Sequence, residues 1–341
     1  MRRLLPAILV LIVLAGGAAA FAYRDAKGRL EAASCPEGGP DGGFVLWVQR
    51  GQTVRDVARA VAEACPTDGV LPVSDADLFK LAARLHGLAP RLRAGEFEVA
   101  PGASMMGVLS VLRDGKPLLR FVTIPEGRTT AQALRLIEAA PVLEGAVTLA
   151  PEEGALLPET YAYERGETRD AVLGRMIAAH DEALAALWPD RAEDLPFETP
   201  EEAVILASIV EKETALAEER PRVASVFVNR LRRGMRLQSD PTIIYGLTGG
   251  EPLGRGIRRS ELRGETPYNT YVIRGLPPTP IANPGRASLE AVLNPPDTDD
   301  LYFVADGTGG HAFAGSLREH NANVARWRRI ERERASGGGG R

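Results

Sequence analysis

The feature that most restricts the fold lies at the start of the chain, where Leu4 to Tyr23 reads LLPAILVLIVLAGGAAAFAY without one charged side chain. A helix of that length, at about 1.5 Å per residue, spans the roughly 30 Å hydrocarbon layer of a bilayer, whereas a buried soluble helix would normally show a polar face. Residues 1–23 therefore read as a transmembrane anchor. Arg2 and Arg3 precede the stretch, and Arg24, Lys27 and Arg29 come after it with Asp25 among them, so charge sets its orientation only weakly. The short leading tail is easily left in the cytoplasm, which favours a single-pass anchor with the remainder outside. Ala18-Ala19-Ala20 also fits a small-x-small cleavage pattern, so a removed signal peptide is the alternative. Both versions export the rest of the chain.

The chain has 341 residues, 45% of them apolar, which is enough for two modest domains with a core each. Its 41 basic and 45 acidic side chains are spread along the sequence for a net charge of -4, so no basic stripe would draw it onto nucleic acid. Cys35 and Cys65 are the only cysteines. Outside the cytoplasm they could close one bridge, and two free thiols are the other reading. Residues 24–43, rich in glycine and proline with little apolar content, read as a tether. Residues 44–118 read as a small α+β domain: a β-rich Phe44 to Val48, amphipathic helices from Val54 and Leu78, a strand at Gly95 to Val99 and a helix from Ser104 to Leu112. Residues 119–334 read as a larger mixed α+β domain, opening with the alternating Leu119 to Ile124 and mostly helical in the middle. Near its end Leu301 to Ala305 and His311 to Phe313 flank a glycine-rich turn, and Ser316 to Arg334 closes as a polar helix before a disordered tail at 335–341.

The densest candidate for chemistry is Thr199 to Thr214. Thr199 with Glu202 forms a capping box and Pro200 suits the first helical position, so the helix start is well marked. The apolar direction lies between Ala203, Leu206 and Val210, and Glu213 falls one turn further on nearly the same line, while Glu211 and Lys212 point elsewhere. A carboxyl at the end of an apolar stripe is partly desolvated, which raises its pKa toward that of a general acid usable near neutral pH. An ordinary surface glutamate paired with Arg or Lys fits the same pattern.

Two polar and aromatic clusters come next in the chain. Met235 to Gly246 reads as a loop, and Thr266 to Tyr271 precedes the proline-rich Gly275 to Gly285, a rigid segment with little freedom to lose on binding. Gln238, Asp240, Tyr245, Tyr268, Asn269 and Tyr271 supply the aromatic faces and polar side chains that a sugar polymer needs. Either cluster could equally be a loop packed on its own aromatics. His86, His180, His311 and His320 form no metal-binding pattern, and His311 beside the hairpin reads as structural or solvent-facing. Ser208 has no fixed histidine beside it and is a poor nucleophile candidate.

Ala207 to Thr214, Val223 to Leu231, Gly234 to Gly246, Thr266 to Tyr271, Gly275 to Pro278 and Leu301 to Gly307, in this order, resemble the YceG-like family of endolytic murein transglycosylases. The resemblance covers about residues 119 to 330 strongly, and the anchor and small domain fit the family layout. It implies a LysM-like peptidoglycan-binding module at 44–118 and a catalytic domain at 119–334, with Glu213 as the catalytic acid. It further implies a lyase that cuts the MurNAc-GlcNAc bond of nascent glycan strands to leave 1,6-anhydro-MurNAc ends and terminate elongation. The implied location is the cytoplasmic (inner) membrane with the catalytic domain periplasmic, with peptidoglycan synthases as candidate partners and no cofactor or metal. One departure is visible: Ala155, Leu156 and Leu157 stand where the family often carries aromatics.

One carboxyl can suffice for such chemistry. Hydrolysing glycosidases usually place two carboxyls about 5 to 9.5 Å apart, and Glu211 cannot partner Glu213 because residues two apart face different sides of a helix. In a lytic transglycosylase the muramic acid C6 hydroxyl attacks its own anomeric carbon, with an effective molarity of roughly 10⁵ M or more. The rivals are a two-carboxylate hydrolase pairing Glu213 with Glu153, Glu159 or Asp240, and a non-catalytic wall-binding scaffold.

Overall fold

The computed structural model describes residues 4–32, 34–36, 44–70 and 73–337, with side chains described from residue 12 to residue 334. It is a mixed α+β chain of two compact units: residues 1–120, 142–144 and 162–167 form the first, and 121–141, 145–161 and 168–341 the second.

The first unit begins with α1 (Leu4–Glu31), followed by β1 (Phe44–Val48), α2 (Val54–Ala64), α3 (Asp75–Leu85), β2 (Gly95–Val99) and α4 (Met105–Asp114). Residues 1–3 and the side chains of 4–11, the first half of the expected anchor, lie outside the described residues. Among the described residues no helix is long and apolar enough to cross a membrane. Residue 33 and residues 37–43 of the expected tether also lie outside. The part of that segment from 24 to 31 differs from the expectation, because α1 runs on through it. Arg29 is the reason: it is buried, its guanidinium pairs with Asp75 at 2.7 Å, donates to the Val73 carbonyl and lies 3.8 Å from Asp25. Cys35 and Cys65, both buried, are joined by a disulfide. β1 and β2 pair antiparallel with Leu46 opposite Phe97, and the alternation of the strands turns Leu46, Val48, Phe97 and Val99 onto Val61, Phe79, Met105 and Leu109. The unit takes in residues 142–144 and 162–167 beyond the expected 44–118. Glu96, buried on β2, shows why: Arg165 donates to one of its oxygens at 2.5 Å and Arg120 to the other, compensation that a buried carboxylate requires.

β3 (Arg120–Thr123) and β4 (Thr160–Tyr163) have residues in both units, and the second unit carries α5 (Thr130–Ala139), α6 (Arg169–Leu187), α7 (Pro200–Glu213), α8 (Arg220–Arg232), α9 (Asp240–Thr248), α10 (Arg286–Leu293), β5 (Tyr302–Ala305), β6 (His311–Ala314) and α11 (Leu317–Gly337). Of the expected tail, 335–337 continue the backbone of α11 and 338–341 lie outside the described residues. α7 is the centre. Thr199 accepts from the Glu202 N–H while the Glu202 carboxylate accepts from the Thr199 N–H at 3.1 Å, so the capping box forms and fixes the helix start. Every residue from Ala203 to Val210 is buried, against Phe227 and Val223 of α8 and Leu289 and Val292 of α10. β5 and β6 form an antiparallel hairpin with Phe303 opposite Phe313.

Candidate active site

Glu213 is the last residue of α7 and is half-buried. Burial pushes its carboxyl up to about 7, Asp240 adds to the rise, and the Ser239 hydroxyl, His311 and Arg230 pull the other way. The carbonyl end of α7, where the helix dipole is negative, likewise disfavours the carboxylate. Ser239 donates its hydroxyl to Oε1 at 2.5 Å. The other oxygen, Oε2, has no partner among the described residues and is not sealed from solvent. A hydroxyl donating to Oε1 leaves the acid's own proton on Oε2, the exposed side.

Ser239 holds this position because Met235 to Gly246 is not all loop. The structure builds α9 from Asp240, with Pro241 inside its first turn and Thr242 and Ile243 buried beneath it. Ser239 is the N-cap residue, yet its side chain makes no capping bond, its hydroxyl being given to Glu213. Its own N–H donates to Thr270 Oγ1 at 2.9 Å, which ties the segment to the Thr266 to Tyr271 cluster.

The predicted sugar-binding residues fall into two groups. Around Glu213, Asp240 is exposed and accepts from the Tyr271 hydroxyl at 2.7 Å, and Gln238 is exposed with a left-handed backbone (φ 52) and its N–H on the Thr270 carbonyl. Burial pushes the Tyr271 hydroxyl up, with Asp240 adding to the effect, so it stays a neutral donor. Tyr245 and Tyr268 make the second group, edge to face with centroids 5.0 Å apart. The Tyr245 hydroxyl reaches Glu153 Oε2 at 3.2 Å and that of Tyr268 meets Thr279 at 2.8 Å. Asn269 is buried, its amide nitrogen donating to the Gly264 carbonyl at 2.6 Å and its oxygen accepting from the Tyr271 N–H. Its side chain fastens the loop that presents Tyr271.

The carboxyls weighed as partners of Glu213 differ in freedom. Glu153 is occupied on both oxygens, by the Thr130 N–H at 2.8 Å and the Tyr245 hydroxyl, and burial pushes it up. Glu159 is exposed. Asp240 alone of the three acts on the Glu213 carboxyl. Leu156 and Leu157 are buried, so they form no lip at the surface. Ser208 is buried as well, accepting from the Ile281 N–H at 3.0 Å and so fastening the proline-rich segment to α7. There Gly154, at φ 84, lies so close to Pro280 that a Cβ would meet it at 2.7 Å.

Of three residues that act on Glu213, Ser239 and Arg230 escaped the sequence reading, and His311 was read there as structural or solvent-facing. Ser239 sits next to a polar candidate but announces itself only as a helix cap. Arg230 is buried on α8 with its guanidinium on the carbonyls of Leu301 and Leu237, both at 2.7 Å, and 5.2 Å from the Tyr302 ring. His311 is held by Glu219, Nδ1 to Oε2, at 2.7 Å. Among the described residues no group of His, Cys, Asp and Glu could hold a metal ion.

The chain is similar to the endolytic murein transglycosylase of Streptococcus pneumoniae serotype 2 (strain D39), 31% identical over 284 residues that cover 69% of this chain and 50% of the relative. It is also similar to the endolytic murein transglycosylase of Bacillus subtilis (strain 168), 36% identical over 172 residues, 50% of this chain and 46% of that one. The chain thus spans about half the length of the curated relatives it matches. A solved structure of a putative YceG-like protein from Listeria monocytogenes aligns over 82% of this chain and 98% of its own at 27% identity, with a TM-score of 0.49. Residues 46–326 match the profile of the YceG-like family, and the chain belongs to that family.

Proposed function

We propose that the chain is an endolytic peptidoglycan lytic transglycosylase, a lyase that cuts the MurNAc-GlcNAc bond with Glu213 as its single acid and base. The observation that carries this reading is the Glu213 carboxyl: pushed up to about 7, oriented by Ser239 through Oε1 and open at Oε2. An acid whose pKa matches ambient pH is populated in both protonation states, which a group that first gives and then takes a proton requires. Oε2 protonates the glycosidic oxygen as the bond to the muramic anomeric carbon breaks. The resulting carboxylate then accepts the C6 hydroxyl proton as that oxygen closes the 1,6-anhydro ring, and the acid is restored. The buried Arg230 acts electrostatically on Glu213 and favours the carboxylate left once its proton is given. Gln238, Asp240, Tyr245, Tyr268 and Tyr271 are the proposed glycan contacts, with Asn269 acting through the loop it holds.

Residues 1–23 are proposed as a single-pass anchor in the cytoplasmic membrane, from the uncharged run Leu4 to Tyr23. Residues 44–118 are proposed as a LysM-like glycan-binding module, from the family layout. The disulfide supports an oxidising compartment for these residues. Nascent strands as substrate and synthases as partners come from the same layout. The test is mass spectrometry of muropeptides released from purified sacculi by the chain. Products ending in 1,6-anhydro-MurNAc are expected. Reducing ends would establish hydrolysis, with Asp240 as the second carboxyl, and no products would leave a binding scaffold.

A further inference from the structure

The turn from α7 to α8 holds a charged group that the proposed acid–base cycle of Glu213 leaves unused. Glu219 has a side chain only 15% exposed, and both its oxygens reach the first residue of β6. Oε1 accepts from the His311 backbone N–H and Oε2 from His311 Nδ1, each at 2.7 Å. Thr214, the residue after Glu213, donates its hydroxyl to the same Oε2 at 3.4 Å. His311 is therefore tied through one carboxylate and one hydroxyl to Thr214, the chain neighbour of Glu213. The approach depends on Gly310, where a Cβ would meet Glu219 Oε1 at 2.5 Å. The imidazole stands edge-on to Phe303, with centroids 5.3 Å apart, which fixes its plane.

Docking the hairpin uses the backbone N–H and Nδ1 of His311 and no more. A ring nitrogen bonded to a carboxylate carries the proton, so Nε2 is left as the acceptor of the neutral ring. Nε2 has no partner among the described residues and is not sealed from solvent. We propose that Glu219 and His311 form a positioning pair for the Glu213 reaction, in which His311 Nε2 accepts a hydrogen bond from a hydroxyl of the bound glycan. This rests on the transglycosylase reading. The ring is within electrostatic reach of the acid.

His311→Asn separates docking from positioning, because the Asn amide nitrogen can replace Nδ1 against Glu219 while nothing replaces Nε2. The expected result with the full chain is an unfolding midpoint within about 2 °C of wild type and kcat/KM for release of anhydro products lowered by roughly tenfold or more. A purely structural His311 would give wild-type cleavage in this variant. A second measurement needs no change at His311: the Glu213→Gln chain, with ¹⁵N in the imidazoles of its four histidines, titrated with uncleaved glycan strands. The His311 Nε2 resonance should move as the strand binds. Cleavage by His311→Asn within about threefold of wild type, or an Nε2 resonance unmoved at saturating glycan, overturns the proposal. Wild-type chain that leaves sacculi intact removes the transglycosylase reading instead, and the proposal with it.

Discussion

Glu211 and Glu213 sit two residues apart at the end of α7 and meet opposite surroundings. Glu211 Oε2 accepts from the Gly285 N–H at 3.0 Å and the Ser288 hydroxyl at 2.6 Å, binding the start of α10, and Oε1 lies 3.6 Å from buried Arg220. Its charge is matched, whereas that of Glu213 is not. Glu213→Gln is expected to keep the fold and glycan binding and to lose about 10² to 10⁴-fold in turnover, because the amide cannot give and retrieve a proton. Turnover within a factor of about three of wild type would remove Glu213 from the reaction. Wild-type activity should fall as pH rises above about 7, where Oε2 loses its proton. Stability tracks the same group: the folded chain holds this proton up to about 7 against an ordinary value of 4.5, so the native state is favoured at low pH. Relative to Glu213→Gln, the wild type should lose roughly 3 kcal/mol as pH rises through that window, read by denaturant titration at each pH. Glu211→Gln should cost about 2 kcal/mol of stability by weakening the Arg220 pair, with near-normal turnover per folded molecule. Glu213 could be picked out from its place just beyond the apolar run of α7, although that run is buried on every side from Ala203 to Val210 and not along the one stripe expected from the sequence. The roles of Ser239, Arg230 and His311 were not legible, since each is set by a contact with a segment distant in the chain.

At the scale of elements the same division holds. The start of α7 could be read from Thr199, Pro200 and Glu202, and the β5–β6 hairpin from its glycine turn, because both are local devices. α9 was read as loop, because its first turn is held by Thr270 and Tyr271 from a distant segment as well as by the burial of Thr242 and Ile243. The extension of α1 through residues 24–31 was hidden for a like reason: Arg29 looks like a solvated charge until Val73 and Asp75 are brought to it from 44 and 46 residues away. The disulfide was an even choice from sequence, and the structure places Cys35 and Cys65 in the core of the first unit. Its loop spans a sequence separation of 30, for which the chain-entropy model gives about 3 to 4 kcal/mol. Reduction under native conditions, or the double change Cys35→Ala with Cys65→Ala, should therefore lower the stability of the first unit by about that amount. Denaturant unfolding with and without reductant, monitored by Trp47 fluorescence, checks this. An unchanged midpoint would mean that Cys35 and Cys65 are not bridged in the folded protein.

At the scale of the whole chain, the proposed anchor decides where the reaction happens. The sequence suggests a flexible tether of about twenty residues after residue 23, yet α1 continues without a break to Glu31, and Arg29 locks its last turns onto Asp75 and Val73. An anchor over residues 4–23 would then pass directly into the first unit, holding that unit against the membrane surface. The second unit comes after it on the same chain, so under the proposed anchoring its substrate would be drawn from glycan close to the bilayer. Replacing residues 1–23 by a cleavable signal peptide should leave digestion of purified sacculi intact, because the proposed site lies wholly within the second unit. The same version should complement a deletion strain poorly, since its effective concentration at the site of synthesis falls when the tie to the membrane is cut. Glycan strand lengths in the complemented strain, compared at matched abundance, give the readout: strands longer than in the wild type are expected. Full restoration of normal strand length by the soluble version would make residues 1–23 an export signal only, and would remove confinement from the account of substrate choice while leaving the chemistry at Glu213 untouched.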